Sequence, residues 1–177
     1  MSDEFKKWTN SMINFHLPRW DELPDMDLYK DQVVTIVQKY LDPLNIKTDT
    51  LITPSIINNY VKWKVVPKPN KKKQYNRVHV GSFICISVLK QIMNIHDIKF
   101  GIEYEVKLHG EEEAYNRFAT ALENALVEIC TRLSRDEEVS YLKDKDIGMS
   151  LSCNALASML VRKNYFSFEK KKSVNNE

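Results

Sequence analysis

Apolar residues recur along this chain at intervals of three and four in several separate stretches, and that spacing lays out most of its elements. Val33, Ile36, Val37, Tyr40 and Leu41 form the first stripe. They predict a helix from an Asp27 cap to about Leu41, stopped by Pro43. A polar connection over 45–51 follows. Thr53 is then a good N-cap, and Pro54 suits a first helical position, where its missing N–H would be unpaired anyway. In the helix that follows, to about Lys64, Ile56, Ile57, Tyr60 and Val61 face inward and Ser55, Asn58, Asn59 and Lys62 face out. Asn76 caps a helix running to about Met93 whose apolar residues, among them Val80, Phe83, Ile84 and Val88, cover nearly all its sides. A helix of that kind belongs at the centre of a core. Asn94 caps a short helix beginning at Ile95.

The pattern then changes period. Phe100, Ile102, Tyr104, Val106 and Leu108 alternate with polar residues or glycine, which argues for a strand, with a helix ending near Glu103 as the alternative. After Gly110, the acids Glu111, Glu112 and Glu113 suit a helix N-terminus. Tyr115, Phe118, Leu122, Ala125 or Leu126, Ile129 and Leu133 make the helix long and amphipathic. A charged connection over 134–146 leads to a last helix, about Met149 to Tyr165, with Leu151, Ala155, Leu156, Met159 and Leu160 as its stripe. A basic, disordered tail closes the chain. At the other end, Leu17-Pro18 and Leu23-Pro24 enforce extended backbone. Trp8, Phe15, Leu17 and Trp20 are too many large apolar groups for a free tail, so residues 1–26 read as an arm packed on the body. The expected divisions are 1–26, 27–109, 110–168 and 169–177.

Composition changes this picture little. Apolar residues are 43% of the chain and charged residues 28%, as in ordinary folded domains. Cys85, Cys130 and Cys153 are far apart and odd in number, which argues against a disulfide frame or zinc site and for small buried groups in a reducing cytoplasm. No apolar run approaches the roughly 20 residues that span a bilayer.

The distribution of charge says more than the net +2. From Thr50 to His96 there is no Asp or Glu, while the window holds Lys62, Lys64, Lys68, Lys71, Lys72, Lys73, Arg77 and Lys90; the remainder carries 24 acids against 18 bases. Local positive potential without acids is what phosphate binding needs. A run of lysines is by itself usually a solvated loop tip. Here, however, it follows a capped helix whose outer face is Ser, Asn, Asn and Lys, side chains that reach base edges and phosphates.

Thr53-Pro54 opening that helix, the loop Pro67-Lys68-Pro69, the return Lys71-Lys72-Lys73-Gln74-Tyr75 and the Ile-rich stretch 86–98 together resemble the head of MerR-type regulators. The resemblance covers about residues 30–103. It implies a mainly α fold: a winged helix-turn-helix head over 27–109, with a small β wing, followed by a C-terminal helical region. It also implies double-stranded DNA as partner, with Ser55, Asn58, Asn59 and Lys62 in the groove. Lys71, Lys72, Lys73, Tyr75 and Arg77 would serve the phosphates, and Lys64 and Lys68 would belong to the same DNA-binding surface. A homodimer is implied as well, its seam the long helix over 112–133 unless that helix is core. The whole chain, including Leu17 to Pro24 and Leu28 to Val33, also resembles an uncharacterised bacterial family, a domain of unknown function. It has no cysteine pair of the metal-sensing kind, and its N-terminal arm is extra.

The four histidines are scattered, and no P-loop, Ser-His-Asp pattern or metal-ligand spacing is present. Trp63 reads as packing at the base of the wing, and His79 as a surface or partly buried residue near it, with a phosphate contact as the alternative. The expectation is therefore a non-catalytic DNA-binding regulator, needing no cofactor and no membrane. The second reading is a protein-interaction module on the same scaffold.

Overall fold

The computed structural model describes residues 3–44, 51–134, 149, 152–161 and 164. Among them the chain is mainly helical: α1 (Asp3–Ile13), α2 (Lys30–Leu41), α3 (Pro54–Lys62), α4 (Arg77–Leu89), α5 (Ile95–His109), α6 (Glu111–Ser134) and α7 over 152–161. Short 3-10 turns lie at Trp20–Glu22 and Asp42–Leu44. No strand occurs among the described residues; one antiparallel bridge joins Leu28 to Tyr75. The chain divides into two compact units. The first consists of Leu17–Asp42 and Ile46–Ala119, the second of Met1–His16, Pro43–Asn45 and Thr120–Glu177.

The core of the first unit is built on α4. Val80, Phe83, Ile84, Ile86 and Val88 are fully buried, and α4 packs against both α2 and α5. Burying each such side chain contributes about 1.5–3 kcal/mol. Asn76 caps the helix as expected, accepting the His79 N–H. Gly81 lets it approach its neighbours closely: a Cβ there would come within 3.2 Å of the Tyr115 ring and 3.3 Å of Trp20. Tyr115 in turn donates from its hydroxyl to the Pro18 carbonyl at 2.8 Å, and the Trp20 N–H donates to Asn116 Oδ1 at 2.8 Å. These bonds tie residues 18–20 to the start of α6.

Two expectations change here. α2 starts at Lys30 with Tyr29 as its cap, and Asp27 does not cap it. Leu28 and Tyr75 exchange N–H···O bonds of 2.8 Å, so the backbone at Leu28 is extended and Asp27 falls outside the helix. Residues 100–109 are neither strand nor loop, because α5 runs on to His109. Its period-two alternation comes from two apolar stripes of spacing four, offset by two residues and hence about 200° apart around the helix. Ile98, Ile102 and Val106 are wholly or partly buried, whereas Phe100, Tyr104 and Leu108 are 70%, 52% and 55% exposed. Asn94 starts the helix by accepting the His96 and Asp97 N–H groups. Gly110, at φ 82°, ends it.

In the second unit Phe5, Trp8 and Met12 of α1 are buried, a helix that the N-terminal turn signals did not announce. Trp8 donates from its indole N–H to the Pro43 carbonyl at 3.4 Å, and His16 Nδ1 lies 3.3 Å from Glu123. Leu44, Leu122, Leu126, Ile129 and Cys130 are buried too. On α7 the buried face is Cys153, Leu156, Ala157, Leu160 and Val161; Ala155, expected in the stripe, is exposed. Ser134 closes α6, and the rest of the expected charged connection, Leu151 and the tail lie outside the described residues. The three cysteines are free and buried, and burial pushes the Cys130 and Cys153 thiols up to about 12. No described helix is long and apolar enough to cross a membrane.

Lys90, read from sequence as part of the basic surface, is instead half-buried at the end of α4. Its ammonium donates to the Leu51 carbonyl at 2.6 Å, which Ser87 also reaches at 3.1 Å. Loss of solvent lowers its pKa from 10.5 to about 8. The folded chain therefore binds fewer protons than the unfolded chain between these values, and this group adds stability as pH rises from 8 to 10.5. At pH 7 the buried charge costs about 1–2 kcal/mol once solvent screening is allowed for. Lys90→Met should raise Tm at pH 7 by about 2–4 °C and flatten the rise in Tm between pH 8 and 10.5. A lower Tm at pH 7 would mean that the bond to Leu51 outweighs the desolvation.

Candidate nucleic-acid interface

The site begins with α3. Thr53 accepts the Ile56 N–H on its hydroxyl at 3.2 Å, and Pro54 occupies the first turn, as the sequence requires. Ile57 and Tyr60 are buried; Ser55, Asn58, Asn59 and Lys62 are exposed. The side chain of Asn59 makes no hydrogen bond among the described residues, whereas Asn58 accepts from Lys30 Nζ on its Oδ1 at 2.6 Å.

The end of α3 is a left-handed stop. The Val65 N–H donates to Tyr60 O at 2.9 Å and the Lys64 N–H to Val61 O at 3.1 Å, with Lys64 at φ 56°. This is the Schellman pattern, in which glycine usually takes the place of Lys64. Trp63, expected to pack at the base of a wing, is 54% exposed, its ring tilted against Tyr60 at 6.4 Å. The sharp turn just after it leaves too little chain to cover the indole.

The lysine run sits on a hairpin-type turn. The Asn70 N–H donates to Gln74 O at 3.0 Å and the Lys73 N–H to Asn70 O at 2.9 Å, with Lys73 at φ 60°. Such a pattern is a three-residue hairpin loop with its last residue left-handed. Asn70 organises it further, accepting the Lys72 and Gln74 N–H groups on Oδ1 at 2.9 Å each. The expected β wing thus reduces to this turn and the Leu28–Tyr75 bridge. Pro67 and Pro69 have no N–H to give to a ladder, which prevents a paired strand on that side. Lys68, Lys71, Lys72 and Lys73 are exposed.

Two residues expected to meet phosphates are placed differently. Tyr75 is only 3% exposed, its ring edge-on to His79 and Phe83, so it anchors the turn and does not present its ring to solvent. Burial raises its hydroxyl pKa. Arg77 is half-buried, with an Nε that has no hydrogen-bond partner among the described residues. His79 is buried: its Nδ1 accepts the Asn76 N–H and its Nε2 faces the Lys68 carbonyl at 3.3 Å. Burial lowers its pKa, against opposing effects of the Lys68 and Pro67 carbonyls and of Asp27 and Glu111. The imidazole is therefore neutral at pH 7 and serves as a clamp on the loop.

The segment 27–30 joins these parts. Asp27 accepts from the Asn70 side-chain amide at 2.9 Å, Leu28 bridges Tyr75, and Lys30 holds Asn58. Tyr29 and Met26 beside it are exposed. Lys30 is the site residue that sequence reasoning missed. It lies outside the acid-free window, next to Asp31, and tertiary links to Asn58, Asn70 and Tyr75 bring its segment to the basic surface. Among the described residues no group of three His, Cys, Asp or Glu side chains could hold a metal.

A family described as a domain of unknown function (DUF1836) matches residues 18–120. The chain belongs to this family. The DUF1836 match coincides almost residue for residue with the first compact unit, whose outer limits are Leu17 and Ala119. The Tyr115–Pro18 bond closes the DUF1836 segment near its two ends. All the candidate residues from Ser55 to Arg77 fall inside it, while α1 and α7 fall outside. No curated protein and no solved structure matches the chain.

Proposed function

We propose that the DUF1836 domain of this chain is a DNA-binding head of MerR-like arrangement in a transcriptional regulator that acts without chemistry. The observation that carries this reading is the linkage of an exposed Ser-Asn-Asn-Lys helix face to a lysine-tipped turn through Lys30–Asn58, Asp27–Asn70 and Leu28–Tyr75. A helix fits the major groove, which is about 12 Å wide. With α3 there, the turn carrying Lys71, Lys72 and Lys73 lies along neighbouring phosphates, which position the protein without reading sequence. Lys30 orients Asn58 through its carbonyl, leaving the amide NH2 to donate. Asn59 keeps both halves of its amide for bidentate pairing with adenine.

The test compares a preferred site, selected from genomic fragments, with random duplex. Asn59→Ala should lose about 1–3 kcal/mol on the preferred site and little on random DNA. Asn58→Ala should lose less on the preferred site. Equal losses on both duplexes would make Asn59 a backbone contact, and absence of any duplex binding would end the proposal.

The exposed Phe100–Tyr104–Leu108 face fits a second copy of the chain. Antiparallel pairing about Tyr104 sets Phe100 of one copy opposite Leu108 of the other, and brings Glu103 of each near Lys107 of the other on one flank. A two-fold dimer of this kind reads two half-sites.

A further inference from the structure

Lys64 and Lys73 are the non-glycine residues of positive φ among the described residues, at 56° and 60°. Each conformation is imposed by the hydrogen bonds around it: the Schellman stop of α3 at Lys64, and the closure of the 70–74 turn at Lys73. Glycine takes such positions without steric cost, and asparagine tolerates them by local hydrogen bonding. Lysine has neither advantage. Both side chains are exposed, and neither forms an ion pair or hydrogen bond with a described residue, so their charges add nothing visible to the fold. Both lie in the stretch that lacks any acid, Lys64 where the chain leaves α3 and Lys73 within the turn.

We infer that Lys64 and Lys73 contact the phosphate backbone of the bound duplex, and that their charge is retained there against the backbone's preference for glycine. The inference rests on the DNA-binding reading and names the contacts within it. Both side chains are exposed on sharp turns, where a long cation can reach a polyanion. Strain at a site of this kind points to function when the fold itself gains nothing from the residue.

Folding and binding should therefore move in opposite directions. Lys64→Gly and Lys73→Gly should each raise Tm by about 1–4 °C. Each should also weaken binding to a random 25-base-pair duplex, by about 8-fold at 0.1 M salt, with the log K against log salt slope shallower by about 0.9. Lys73→Asn should behave like Lys73→Gly, and Lys73→Arg should bind as the parent chain does. Lys71→Ala, at a residue of ordinary φ, should lose affinity without gaining Tm. Glycine variants that gain Tm but bind like the parent overturn the inference alone. Glycine variants that both lose Tm show that the positions are not strained, and overturn it as well. A parent chain that binds no duplex overturns the inference and the DNA-binding reading together.

Discussion

Leu126→Lys is expected to abolish cooperative folding of the unit that contains it, seen as a broad, early loss of helical circular dichroism. Leu126 is fully buried in α6, as are Leu122 before it and Cys130 after it. Removing a buried leucine's contacts costs about 3–5 kcal/mol. Leaving an unpaired ammonium in the same place costs several more, and the whole stability of a domain is only about 5–15 kcal/mol. The sequence left open whether the α6 stripe was an intermolecular seam; in the structure it is filled within one chain. Were it a seam, the same variant would be a well-folded monomer. Tyr104→Glu with Leu108→Lys provides the contrast. These residues are exposed on α5, so the double variant should keep its dichroism and its cooperative melting, losing only the Tm that association supplied, while light scattering falls from dimer to monomer. A parent chain already monomeric at tens of micromolar would remove the second copy from the α5 face.

Replacing Lys71, Lys72 and Lys73 together by alanine should give the largest loss of DNA affinity. If all three meet phosphates, the salt slope becomes shallower by up to about 2.7, equivalent to about 500-fold at 0.1 M salt. Stability should barely change. The three side chains are exposed, the turn is held by Asn70, and alanine at position 73 keeps the same left-handed strain that lysine bears. The loss should be nearly equal on preferred and random duplex, unlike that of Asn59→Ala. An unchanged slope would take the turn out of the interface and leave α3 without its phosphate support.

What the sequence determined by itself was local. Thr53-Pro54, Asn76 and Asn94 start their helices as read, because a cap needs only a side chain and N–H groups two or three residues on. The central place of α4 followed from apolar residues on all its sides, and the basic surface from a stretch without acids. The tertiary structure decided what depends on distant partners. Period-two spacing in α5 was ambiguous, since two helical stripes, one buried and one exposed, give the same alternation as a strand. Whether the α6 stripe was seam or core depended on the supply of apolar surface from elsewhere in the chain. Trp63 could not be placed without the left-handed stop at Lys64. Lys90 left the basic surface, and Lys30 joined it, because Leu51 and Asn58 lie 39 and 28 residues away along the chain. Hydrogen bonds between residues so far apart form only when packing brings their segments together, and no local pattern records which segments those will be.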